Sequence, residues 1–294
     1  MDNSSLRVSP RYLGRMLLDT FCPRCLFYQI MLRFHAPFEM PMPGLMYHLD
    51  IFEKRFVDRY LAANGELPPG MEKLRCTEAV SVPRKLTAEF PEFNLTLVGM
   101  LDAVFRRRDD TLTVVDYKTA TCRGEDDPFL PAYKVQLLGY AELLEQAELG
   151  PVTGAALVYF ENRSKEYRDS PLDLATDDGF SLPFSITTVP VELDRKALKP
   201  LMKRFREIAD LNLPPKGREG CKDCARLQYL LDDESNRRSV EDHQRNRDGL
   251  ARVTSRRLQA DRELALRGWD GSDDSLSVPP DLHLVDSIPG STDL

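Results

Sequence analysis

The 294-residue sequence has no apolar run approaching the about 18 residues of a membrane-spanning helix, which speaks against a membrane protein. Its first residues, MDNSSLRVSP, lack the basic and apolar regions of a secretory signal, so a soluble, cytoplasmic protein is expected. There is no surplus of positive charge. The net charge of −7 argues against a protein that coats nucleic acid through bulk charge. There is no internal repeat, P-loop or helicase motif, which leaves out repeat scaffolds and P-loop motors. The acid that is present is uneven. Residues 232–294 hold 14 Asp and Glu against 9 Arg, a net −5, which leaves only −2 of the −7 for the first 231. A local basic groove is therefore compatible with the body of the chain.

Six cysteines in a chain of this kind suggest metal ligands or free thiols before disulfides. Cys22 and Cys25 form one C-x₂-C pair, and Cys221 and Cys224 form a second. Together they make a four-thiolate set suited to zinc or an iron–sulfur cluster. Cys76 and Cys122 stand alone and read as ordinary core or loop thiols.

The chemistry concentrates between Gly99 and Tyr140. Asp102 ends one apolar run, and Asp116 and Lys118 flank Tyr117 at the end of another, Leu112 to Val115. The charged break Arg106 to Thr111 has the length of a hairpin loop, so the two runs are expected to pair antiparallel. Residues two apart on a strand share a face, which puts Asp116 and Lys118 together and brings Asp102 within reach. Two carboxylates suit Mg²⁺ or Mn²⁺, and a neighbouring lysine can hold water or offset charge building on a phosphate. Gln136 and Tyr140 follow at helical i, i+4 spacing on one face.

GMLDAV, then VVDYKTA, then Gln136 with Tyr140, resembles the PD-(D/E)XK nuclease superfamily, in particular its RecB-like branch. The resemblance implies a restriction-endonuclease-like α/β core, a central mixed sheet flanked by helices. It implies Asp102 and Asp116 as ligands of Mg²⁺ or Mn²⁺ and Lys118 as the catalytic lysine. Gln136 and Tyr140 become the pair that closes the site, and the Tyr117 carbonyl a further ligand. Gly44-Leu45-Met46-Tyr47-His48 matches the position where these nucleases place an additional metal-binding histidine, His48. Cys22-Pro23-Arg24 and the late pair resemble the CRISPR-associated four-cysteine iron–sulfur exonucleases, and a four-iron cluster is the implied cofactor. That family has one early cysteine and three late ones. The 2+2 arrangement here departs from it and also resembles a zinc site. The implied activity is exonuclease-like hydrolysis of single-stranded or frayed DNA ends, with a CRISPR integrase or a helicase–recombination complex as partner. The alternative is a non-catalytic module that binds DNA or a partner and carries a structural metal.

Along the rest of the chain, Ser9 to Gln29 is expected to be a capped helix. Gly44 to Tyr60 is a second helix, with Met46, Leu49, Phe52, Phe56 and Val57 on its apolar face. Thr77 to Leu86 and Leu95 to Phe105 are expected as strands; Glu78 is either the acidic residue that such nucleases often carry near this point or a solvated edge residue, and it is left out of the core site. Glu161 to Leu182 reads as a loop without regular structure. Arg195 to Leu211 is an amphipathic helix with Leu198, Leu201, Met202, Phe205 and Ile208 inward. Its Lys196, Lys199, Lys203, Arg204 and Arg206 offer a candidate surface for DNA backbone. The nuclease domain is expected to span 1–231. A charged helix and then a disordered tail should follow through 294.

Overall fold

A computed structural model describes residues 5–34 and 43–232; the expected C-terminal tail lies outside the described residues. In chain order the elements are β1 (Leu6–Val8), α1 (Pro10–Arg15), α2 (Pro23–Met31), α3 (Gly44–Asn64), β2 (Cys76–Ala79), β3 (Leu86–Phe90), β4 (Leu95–Gly99) and β5 (Ala103–Arg107). Then come β6 (Leu112–Lys118), α4 (Leu130–Gln146), β7 (Val152–Asn162), β8 (Ala175–Thr176), β9 (Gly179–Phe180), β10 (Phe184–Pro190), α5 (Leu198–Ala209) and α6 (Lys222–Asp232).

The main sheet has five strands in the order β10-β7-β6-β5-β2. Only the β6–β7 pairing is parallel, and α4 is the crossover between those two strands. A second sheet of three strands, β1-β4-β3, packs its residues into the same core as α1, α4 and α5. The fold is therefore the expected mixed α/β core flanked by helices.

The middle of the large sheet is covered on both faces, so β6 reads as a continuous apolar run with one interruption. Leu112 and Val114 enter the core shared with α4, while Val115 and Tyr117 enter a second core with Val57 and Leu61 of α3. This alternation sends Asp116 and Lys118 to the α4 side.

Several boundaries differ from the sequence reading. The first helix is two, because Pro23 has no amide hydrogen for a helix interior and instead starts α2, with Cys22 extended before it. The run Leu95 to Phe105 is two strands in different sheets, broken at residues 100–102. The run Thr77 to Leu86 divides likewise, with Pro83 in the break between β2 and β3. Residues 161–182 are not structureless: β7 continues to Asn162, and β8 and β9 form a small ribbon. On α3 the expected apolar face is wrong in phase. Phe52, Phe56 and Met46 are exposed, and Glu53, Val57 and Leu61 are buried. The many apolar residues of this helix allow more than one stripe, and only the sheet it packs on selects among them.

α5 buries the expected Leu198, Leu201, Met202, Phe205 and Ile208. Of the five candidate cations, Lys196 lies before α5, and three of the four on it have partners within the protein. Lys199 pairs with Glu92 at 3.2 Å, Arg206 with Asp210, and Arg204 lies over the Phe21 ring at 5.1 Å. Phe205 is fully buried, so Phe205→Ala is expected to lower unfolding free energy by about 3–5 kcal/mol. Leu213→Ala, at a residue 77% exposed, should be near neutral in the same urea titration. Equal effects would mean that α5 does not close the core.

Candidate active site and cysteine cluster

The β5–β6 ladder pairs Ala103 with Val115 and Val104 with Val114. One step further, that register sets Asp102 across from Asp116, as the hairpin reading expects. Asp102 sits at the break before β5, where it is free of the ladder. Its Oδ2 accepts from the Tyr117 amide at 3.0 Å, and its Oδ1 pairs with Lys54 at 2.9 Å.

Asp116 is buried, with 3% of its side chain exposed. Its Oδ1 accepts from Gln136 Nε2 at 2.8 Å, and its Oδ2 faces the Lys118 ammonium in an ion pair. Burial pushes the Asp116 carboxyl up, the Lys118 charge opposes the rise, and the Asp102 charge adds to it. Lys118 is also 3.5 Å from Gln136 Oε1 and lies 4.2 Å from the centre of the Tyr133 ring.

Gln136 connects the set. Its amide donates to Asp116 and, at 2.9 Å, to Tyr140 Oη, while its carbonyl oxygen accepts from Lys118. A carboxylate could accept from Lys118 but could not donate to Asp116. Gly99 has an equally local reason. A Cβ there would lie 2.5 Å from Leu143 Cδ1 and 3.0 Å from Tyr140 Cε1, so a larger residue would require these α4 side chains to move.

Helix α3 supplies residues that the sequence reading missed. Glu53 is 4% exposed and accepts from Thr119 Oγ1 at 2.9 and 3.1 Å. Lys54 bridges Asp102 and Asp50. The available signal was the i, i+4 series Glu53, Val57, Leu61, with Thr119 directly after Lys118. His48 is exposed on α3, and among the described residues no hydrogen bond or ion pair joins it to Asp102 or Asp116. Tyr117 turns its ring into the second core, edge-on to Phe160, and meets the site through its backbone. Glu78 pairs with Arg106 at 2.6 Å on the exposed face of β5, as an edge residue would.

The four cysteines converge. Cys22 and Cys224 sulfurs are 3.4 Å apart, Cys25 and Cys221 3.6 Å, and Cys25 and Cys224 3.5 Å. All four sulfurs lie within 4.8 Å of one another, the sole such group of candidate metal ligands among the described residues. None of them is in a disulfide. Burial raises the Cys22 thiol, but the amides of Arg218 and Cys25 outweigh it and hold Cys22 down at about 6. The Arg218 amide donates to Cys22 Sγ at 3.2 Å. Gly217 lies against the cluster, where a Cβ would be 3.0 Å from Cys224 Sγ. A set of four soft, close sulfurs fits a metal ion.

The sequence model of the PD-(D/E)XK nuclease superfamily matches residues 41–229. The chain belongs to that superfamily. The matched span includes α3, both aspartates, Lys118, Gln136 and Tyr140, and the late cysteine pair. A solved structure titled "Crystal structure of SSO0001" is similar at 16% identity over 73% of this chain and 79% of that one. The TM-score between the two is 0.38. No curated protein is matched. No described helix of this superfamily member is long and apolar enough to cross a membrane.

Glu53 gives the site a pH signature. Burial pushes its carboxyl up to about 7, the charges of Asp50 and Asp102 add to the rise, and the Thr119 hydroxyl opposes it. Between the ordinary value of 4.5 and about 7 the folded state binds more protons than the unfolded one, so stability falls as pH rises through that window. Glu53→Gln removes the buried charge. Its gain in Tm over wild type should be larger at about pH 8 than at about pH 5. Equal gains at both pH values would show that Glu53 is not held protonated by the fold.

Proposed function

We propose that this chain is a divalent-metal-dependent deoxyribonuclease of the RecB-like branch, acting on single-stranded or frayed DNA ends. The observation that carries the reading is the convergence of two carboxylates and a lysine: Asp102 lies across from the buried Asp116, whose outer oxygen faces the Lys118 ammonium. A hard cation is the partner such an oxygen suits, and Asp102 and Asp116 would hold it. When bound, Mg²⁺ or Mn²⁺ supplies charge to polarise a phosphate oxygen and to lower the pKa of a coordinated water.

The protein's own residues do the rest. Gln136 occupies Asp116 Oδ1 and thereby turns Oδ2 toward the site. Tyr140 holds Gln136, and the Tyr133 ring and Gln136 Oε1 hold the Lys118 ammonium in place. Lys118 is then positioned to orient water or to meet charge developing on the phosphate. Tyr117 N and Lys54 fix Asp102. The match to residue 229 supports a nuclease unit bounded near Leu231. Work in CRISPR spacer acquisition or in recombinational repair, with an integrase or helicase partner, remains the proposed setting for a cytoplasmic enzyme of this branch.

For the cysteine cluster we infer that Cys22, Cys25, Cys221 and Cys224 would hold one structural zinc ion. Four thiolates on one zinc at about 2.3 Å lie about 3.8 Å apart. Three of the sulfur pairs lie 3.4–3.6 Å apart and all four sulfurs fall within 4.8 Å, which supports one shared ion, with a four-iron cluster the other candidate for the same four thiolates. Purified protein should be colourless and contain one zinc per chain by elemental analysis. Brown protein with iron would reverse the assignment.

Cleavage of labelled single-stranded DNA in Mn²⁺ tests the activity. Asp116→Asn and Lys118→Ala should each slow cleavage by more than about 100-fold, with DNA binding largely kept. Gln136→Ala should lower metal affinity or rate by about 10–100-fold. Wild-type rates in the Asp116 and Lys118 variants would place any nuclease centre elsewhere.

A further inference from the structure

We infer that the outward face of α3 is a stacking surface for the bases of an unpaired DNA strand. The assignment rests on the nuclease reading for its substrate class, but its own observations lie on the helix surface. Phe52, Phe56 and Tyr60 follow at i, i+4 spacing and form a row. The Phe52 and Phe56 rings are nearly parallel, 18° apart with centroids at 6.4 Å, and Phe56 and Tyr60 are at 5.9 Å. Phe52 is 66% exposed and Phe56 38%, although α3 buries Glu53, Val57 and Leu61 between and beside them. Large rings left in water at this spacing form a patch rather than isolated surface residues.

Charge identifies the occupant. Arg55 and Arg59 each lie three residues after one of the exposed rings, and both are exposed. Among the described residues neither is in an ion pair, whereas Lys54 is shared between Asp50 and Asp102; one exposed acid, Asp58, stands between the two arginines. In a chain of net charge −7, two unpaired guanidinium groups beside an aromatic row complement phosphate and base together. A purely apolar partner would leave both charges unused. Continuity with the site points the same way. The residues after Phe52 are Glu53 and Lys54, which reach Thr119 and Asp102. A strand whose phosphate reaches Asp102 therefore has the ring row on an adjoining face of the same helix. Paired bases are stacked inside a duplex and cannot use such rings, so the surface favours unpaired ends.

The test is fluorescence anisotropy of the full-length chain with a labelled oligothymidylate of about 16 nucleotides, the upper end of a single-strand site, and with a blunt duplex, without added Mg²⁺ or Mn²⁺. Phe52→Ala with Phe56→Ala should weaken oligothymidylate binding about tenfold for each ring lost and leave duplex binding unchanged. Phe52→Leu with Phe56→Leu should weaken it as well, and the paired Trp variants should retain it, because the rings act through their π-faces. Arg55→Gln with Arg59→Gln should reduce the slope of log affinity against log salt by about 1.4. Unchanged affinity in the Ala pair, full affinity in the Leu pair, or no binding by wild type would overturn the assignment. So would a wild-type dimer that the Ala pair dissolves at constant oligonucleotide affinity, since a second copy would then cover the face. Cleavage is read separately. Ring-dependent binding without any cleavage in Mn²⁺ would sink the nuclease reading and leave the stacking surface standing.

Discussion

The site depends on keeping one carboxylate, that of Asp116, charged inside a protein core. Desolvating an isolated carboxylate costs several kcal/mol, and the fold offsets this with a lysine two residues along the same strand and an amide from the crossover helix. The arrangement dictates much around it. Lys118 must share the face of Asp116, so β6 must stay a regular strand to its last residue. Gln136 must come down from α4 at the right height, so α4 must lie close to β4, which Gly99 permits. The apolar walls that make Asp116 hard to ionise are the same ones that hold its partners still.

A second constraint acts at the ends of the fold. Cys22 and Cys25 meet Cys221 and Cys224 across a separation of up to 202 residues. Closing a loop of that length without a covalent or metal bond leaves its entropy entirely to packing. A shared metal would take over that role, and its binding would be coupled to the folding of everything between the two pairs. The cluster and the carboxylate site are built from different elements. The first joins α2 to the start of α6, while the second lies among α3, β5, β6 and α4.

Helix α3 joins the two themes of burial and exposure. One stripe, Glu53, Val57 and Leu61, packs on the sheet. The neighbouring Lys54 pairs with Asp102, just before β5, and other positions of the helix leave aromatic rings in water. A buried glutamate in place of an apolar residue makes this helix sensitive to pH, and it also explains why a hydrophobic pattern points to the wrong face. Glu53 is in the stripe because Thr119 and the charges at the site receive it there.

The order of G-x-x-D, D-x-K and Q-x-x-x-Y was legible in the residues, because strand period and helix period fix which side chains share a face whatever the surroundings. So were the mixed α/β class, the inward stripe of α5 and the two cysteine pairs. The sequence could not place the break at residues 100–102 that sends β4 and β5 into separate sheets, since a continuous apolar run has no mark for a change of partner. Nor could it choose among the apolar stripes of α3, or foresee that Glu53 and Lys54 contact Thr119 and Asp102. Those outcomes are set by long-range packing: which face of a helix meets which sheet is a property of two elements together, and neither segment encodes it alone.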